Sequence, residues 1–196
     1  MAGHEMESWI IFDGSSPLSD FLEKNRPSSM KLVNMAVFAG DPQRRPTVFE
    51  FPLSIPEPQK QILLERWEKL KTKKRGKITN DDVKHLAKKH SYKSGKWLFN
   101  CPSTKIDEIW TSVAKAVVSG TLGSAANVFM SDNQLMEYTI LVYNEDFTKK
   151  EQVWAVERSL RTLGVTFTLR YKPNIYTTLG IYAGNEWQLE PTICHS

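Results

Sequence analysis

Glycine-rich phosphate loops are missing from this chain. Its ten glycines are scattered, and none completes GxGxxG or GxxxxGK(S/T), which excludes nucleotide binding and hydrolysis of those kinds. Cysteine is nearly absent too: Cys101 and Cys194 are the only two, too few for a disulfide framework or a four-ligand zinc site, and a reducing compartment is the natural setting. Of four histidines, His4 and His195 sit near the ends, while His85 and His90 are five residues apart, a poor spacing for two ligands on one helix face. There is no GxSxG elbow and no Cys–His signature from which a triad could start. The expectation is a protein that is not an enzyme and carries no cofactor and no metal. Long apolar runs are also lacking. Trp9–Phe12 and Thr139–Tyr143 fall far short of the roughly 20 residues that a bilayer span requires, and the first eight residues carry two acids and no apolar stretch, unlike a secretory or transit signal. A soluble, cytoplasmic protein without membrane contact is expected. Lys73-Lys74-Arg75 offers a basis for nuclear import as well.

What the chain has in excess is local positive charge. Lys69 to Lys96 contains eleven Lys or Arg against two acids, Asp81 and Asp82, in a chain whose total is only +4. The rest of the molecule must therefore be mildly acidic. A basic face on such a body attracts polyanions, because each neutralised phosphate releases condensed counterions. RNA is the first partner to consider, with Lys73, Lys74, Arg75, Lys77, Lys88 and Lys89 as the phosphate-neutralising set. The alternative is a solvated helix surface with no ligand.

At 196 residues, 40% of them apolar and 24% charged, the chain suits one compact domain. We expect a tail over residues 1–8, a single domain over 9–196, and a loop over 40–58 that holds five of the ten prolines. Strands are expected at Trp9–Phe12, Lys31–Phe38, Trp97–Phe99, Ala126–Met130, Tyr138–Tyr143, Val165–Tyr171 and Tyr176–Tyr182. Ser131–Gln134 and Lys172-Pro173-Asn174 read as turns. Helices are expected at Pro17–Lys24, Gln59–Leu70, Lys105–Ser119 and from Thr148 to Leu163, with a basic turn over Lys71–Lys77 and a further helix opened by a Thr79/Asp82 capping box. Thr148 and Glu151 suggest a second box. Hairpin-linked strands interrupted by helices point to an α+β fold, an antiparallel sheet with helices packed on one face. Trp67 shares the stripe of Leu63 and Leu70, which favours the core; exposed on its helix, it would instead anchor a protein partner.

Several motifs run in a recognisable order: Ser94-Gly95-Lys96-Trp97-Leu98, Ala114-Lys115-Ala116-Val117-Val118-x-Gly120-x-Leu122, Val142-Tyr143-x-x-Asp146-Phe147-Thr148, and Tyr171-Lys172-Pro173-x-x-Tyr176-Thr177-x-Leu179-Gly180-Ile181-Tyr182 with Asn185 and Trp187. This series resembles the uncharacterised family of basophilic leukemia-expressed protein, whose members share a fold with translation initiation factor 4E. The resemblance implies a curved antiparallel sheet backed by helices. In the initiation factor two tryptophans sandwich a methylated guanine and basic residues hold its phosphates. Here no Trp lies between Trp67 and Trp97, and Phe129 and Gln134 stand where the phosphate-binding pair should be, so ordinary cap recognition is not implied. Trp67 matches the factor's partner-binding Trp, which implies a protein-interaction adaptor as the alternative to RNA binding. The last motif gathers polar and aromatic residues at one end of the sheet. Lys172, Tyr176, Thr177, Tyr182, Asn185 and Trp187 are the implied mouth for a nucleotide-like ligand, against a network of turn hydrogen bonds.

Overall fold

The computed structural model describes residues 9–30, 33–40, 55–130 and 137–196. In chain order these form β1 (Ile10–Ile11), α1 (Leu18–Lys24), a 3-10 turn at Pro27–Ser29, β2 (Asn34–Phe38), α2 (Glu57–Lys74), α3 (Asn80–Lys89), β3 (Gly95–Pro102), α4 (Ile106–Val118), β4 (Ala125–Met130), β5 (Glu137–Asn144), α5 (Lys150–Thr162), β6 (Arg170–Pro173), α6 (Asn174–Thr178) and β7 (Cys194–His195). The expected tail, most of the proline-rich loop and the turn at Ser131–Gln134 lie outside the described residues.

The strands make one sheet in the order β1-β2-β4-β5-β3-β6-β7. All pairings are antiparallel except β1 with β2. The fold is thus α+β, a curved sheet backed by helices. Strict alternation along β3 shows how the residues choose their faces: Gly95, Trp97, Phe99 and Cys101 are buried, while Lys96, Leu98, Asn100 and Pro102 are half-exposed. Register carries the buried set across to Val142 and Ile140 on β5 and Tyr171 on β6. Helix α4 lies on that face, burying Ile106, Ile109, Trp110, Val113 and Val117, and the Trp110 indole donates to Met35 Sδ at 3.1 Å. Helix α5 covers β3 as well, since the Trp97 indole donates to the Val153 carbonyl at 2.8 Å. A buried indole N–H without that acceptor would be costly.

Several local expectations need correction. Helix α2 runs four residues past Leu70, because Lys71, Lys73 and Lys74 are good helix formers and their cations favour a helix C-terminus. Arg75 and Gly76 then take left-handed backbone, φ 50° and 76°, and the Gly76 N–H returns to the Lys71 carbonyl at 3.1 Å, so the chain closes with a Schellman-type cap. At α3 the capping box is formed: Thr79 N–H donates to Asp82 Oδ2 and Asp82 N–H to Thr79 Oγ1. The second box is not. Thr148 bonds Asp146 through both its N–H and its hydroxyl, and α5 starts at Lys150 without a side-chain cap. Residues 165–169 do not join the sheet as a strand. Arg161 takes the carbonyls of Val165 and Phe167 instead, at 2.9 and 2.8 Å. Tyr176–Tyr182 is likewise no strand: Pro173 ends β6 in extended backbone and the next five residues coil into α6.

Candidate functional site

Two helices bring the basic residues together. On α2, Arg66, Lys69, Leu70 and Lys73 stand at i, i+3, i+4 and i+7. On α3, Asp82, His85, Leu86 and Lys89 repeat that spacing. Such rows occupy one helix face, and here the two rows face each other across a cleft of about 370 Å³. Four Lys or Arg side chains line it with His85, Leu70 and Leu86, and its single acid, Asp82, is held by Lys74 Nζ at 3.0 Å. The charges act on their surroundings. Burial first, then Lys89 and Arg66, pushes the His90 imidazole below its ordinary pKa.

Of the six residues expected to neutralise phosphates, the structure therefore places Lys73 and Lys89 in the cleft. Lys74 is spent on Asp82. Arg75, Lys77 and Lys88 are exposed but do not line the cleft. Arg66, Lys69 and His85 belong to it and were not in the expected set. Their signal was the i, i+3 spacing within helices already expected, Arg66 and Lys69 in Gln59–Leu70 and His85 after the Thr79/Asp82 box.

The implied mouth divides into separate environments. Lys172 is 7% exposed and donates to the Ile181 carbonyl at 2.9 Å, with its ammonium 3.8 Å from the centre of the Tyr182 ring. Tyr182 itself is 53% exposed. The Thr177 hydroxyl accepts from Lys96 Nζ at 3.2 Å. Tyr176 is buried, donates to Asn80 Oδ1 at 2.8 Å, and has its phenol pushed up to about 12 by burial. It lines a different cavity, of about 560 Å³, with Lys84, Trp154 and Glu190. Asn185 is committed to the chain turn, donating to the carbonyls of Tyr182 and Leu189 and accepting from the Leu189 N–H. This residue fits the turn network rather than a ligand contact.

Trp187 packs edge-on against Trp67, ring centres 4.9 Å apart at 73°, and Lys71 Nζ lies near both rings. Trp67 is consequently 2% exposed. A partner surface centred on Trp67 is corrected by this burial, which assigns the ring to the core. Two indoles meeting at that angle also leave no parallel gap for a third ring. Among the described residues, no group of His, Cys, Asp and Glu could hold a metal ion, and no helix is long and apolar enough to cross a membrane.

The family model described as basophilic leukemia-expressed protein Bles03 matches residues 57–180, from the start of α2 to just past α6. Among solved structures, the chain is similar to Ascaris suum eIF4E-3 in complex with an m2,2,7G cap, at 16% identity and a TM-score of 0.40, over 53% of this chain and 57% of that one. A schistosome eIF4E complexed with m7GpppA and 4E-BP gives 12% identity and a TM-score of 0.43 over 53% and 59%. Caenorhabditis elegans eIF4E-3 with the 4E-binding protein Mextli and a cap analogue gives 19% and 0.39 over 44% and 53%. The matched region spans between half and three fifths of each of those structures.

Proposed function

The chain belongs to the family of basophilic leukemia-expressed protein Bles03, and we propose that it is a non-catalytic binding domain that holds single-stranded RNA along the cleft between α2 and α3. The observation that carries this is the pair of facing rows, Arg66, Lys69 and Lys73 against His85 and Lys89. A rise of about 1.5 Å per residue spaces the α2 cations by roughly 4.5 and 6 Å along the axis, a repeating positive track suited to a repeating anion. Arg66 adds a planar fork for bidentate phosphate contact, and Leu70 and Leu86 add apolar surface to the lining. A solvated helix surface would place like charges apart, whereas these face one another across a shared hollow.

Cap recognition of the sandwich type is not part of this proposal. Trp97 and Trp110 are fully buried, and Trp67 and Trp187 are engaged with each other. Photocrosslinking of a 4-thiouridine-substituted single-stranded RNA, followed by peptide mapping, tests the assignment. Crosslinks within residues 66–89 are expected. Crosslinks confined to other segments, or full competition by an acidic peptide at equal charge concentration, would remove the RNA cleft.

A further inference from the structure

Lys96 on β3 and Lys172 on β6 are direct cross-strand partners, so their side chains rise from the same face of the sheet opposite each other. Like charges in that position repel, and burial adds a desolvation cost to each. Among the described residues, neither forms an ion pair. Their partners are neutral: Lys96 Nζ donates to Asn174 Oδ1 at 3.0 Å and Thr177 Oγ1 at 3.2 Å, and Lys172 Nζ to the Ile181 carbonyl at 2.9 Å. Two aromatic rings stand beside them. The Tyr143 ring, in the same cross-strand row, is 5.7 Å from the Lys96 ammonium, and the Tyr182 ring is 3.8 Å from that of Lys172.

An ammonium has three N–H donors. Lys96 has spent two and Lys172 one, so the pair retains three donors and two positive charges beside an exposed aromatic ring. A purely structural role would be served at lower cost by Met or Gln at either position. We propose that Lys96 and Lys172 form a receptor for a phosphate monoester, whose oxygens take the unspent ammonium donors and whose charge of roughly −1.5 to −2 near pH 7 offsets both lysines. Tyr182 forms the outer wall, where its free face meets the organic part of the ester. The site is separate from the RNA cleft, which uses none of these residues. Burial pulls the Lys96 amine down to about 8, helped by the charge of Lys172, and burial alone pulls Lys172 to about 8. A bound dianion would raise both again.

The test uses the full chain labelled with 15N-lysine, with the side-chain Nζ resonances followed by NMR during titration with inorganic phosphate, AMP and adenosine. Phosphate and AMP should each move the same two Nζ resonances, and adenosine neither. AMP binding more tightly than phosphate supports the Tyr182 wall in addition. Lys96→Met and Lys172→Met should each weaken AMP binding at least about tenfold, as loss of a charge-assisted contact demands, while a Lys73→Gln/Lys89→Gln variant keeps it. No Nζ shift in the wild-type chain overturns the proposal without reliance on any variant. So does adenosine binding as well as AMP, or loss of AMP binding in the cleft variant with retention in Lys172→Met.

Discussion

Replacing Lys73 and Lys89 by Gln removes two of the four permanent cations that line the α2/α3 cleft, the others being Arg66 and Lys69. Gln keeps most of the side-chain length and a comparable helix propensity, so the change is electrostatic. Each phosphate neutralised on a single strand contributes about −0.7 to the slope of log affinity against log salt. Four contacts give a slope of about −2.8, and between about 50 mM and about 200 mM salt the wild-type chain should lose affinity about 50-fold. With two contacts the slope is about −1.4 and the loss about 7-fold. Fluorescence anisotropy of a short labelled single-stranded RNA, titrated at a series of KCl concentrations, reads both slopes directly. Lys77→Gln/Lys88→Gln is the matched control, since it deletes the same charge outside the cleft and should leave the slope nearer to that of wild type. If the Lys73/Lys89 variant keeps its far-ultraviolet spectrum and the wild-type slope, the cleft does not hold phosphates. Equal flattening in the control would mean that net charge alone sets the binding.

Thr79→Ala removes the cap acceptor of α3 and should cost about 1 kcal/mol in urea unfolding, with no change in the salt slope, because the cleft residues remain. Gly95→Ala should cost roughly 1–3 kcal/mol by overpacking: a Cβ there runs into the Tyr171 hydroxyl, which is bonded to Asn144, and Tyr171→Phe in the same chain should recover part of the loss. An unaffected urea midpoint in Gly95→Ala would disprove the close contact. The desolvated lysines make stability depend on pH. Lys96 has a folded pKa of about 8 against an ordinary 10.5, so between those values the unfolded chain binds more protons and stability rises with pH. The penalty is complete below pH 8 and relieved toward 10.5. The stability of Lys96→Met relative to wild type should therefore fall as pH is raised from about 7.5 to about 9.5, measured by urea midpoints at each pH; a constant difference would contradict the shift.

Periodicity made much of this architecture legible. The stripe of Ile106, Ile109, Trp110, Val113 and Val117 defined α4 within a residue of its observed ends, and the Thr79/Asp82 spacing defined the start of α3. Tyr176–Tyr182 was misread because Tyr176, Leu179 and Ile181 face inward while Thr177, Gly180 and Tyr182 face out, which over so short a stretch mimics the alternation of a strand. The Thr148 cap failed for a tertiary reason: Asp146, fixed by Lys93 at 2.8 Å, is a nearer partner for that hydroxyl. The candidate sites divide in the same way. The basic cleft was half visible: both rows lay largely in expected helices, with only Lys73 needing α2 to continue past Leu70, but that the two rows share one hollow depends on how the helices pack. The opposition of Lys96 and Lys172 was not visible at all, because it depends on a register between strands far apart in sequence.

The strand order has a consequence for how the chain comes off the ribosome. Strand β3 ends up between β5 and β6, and both are synthesised after it. Until they emerge, the nascent chain carries a segment with Trp97 and Phe99 on one side and unpaired amides along both edges, the condition under which strands join the wrong neighbour. Lys96 beside Trp97 and Pro102 at the far end occupy the flanking positions at which a charge and a proline disfavour such pairing. A lysine whose desolvation burdens the finished fold thus puts a charge at the edge of the apolar run in the unfinished one.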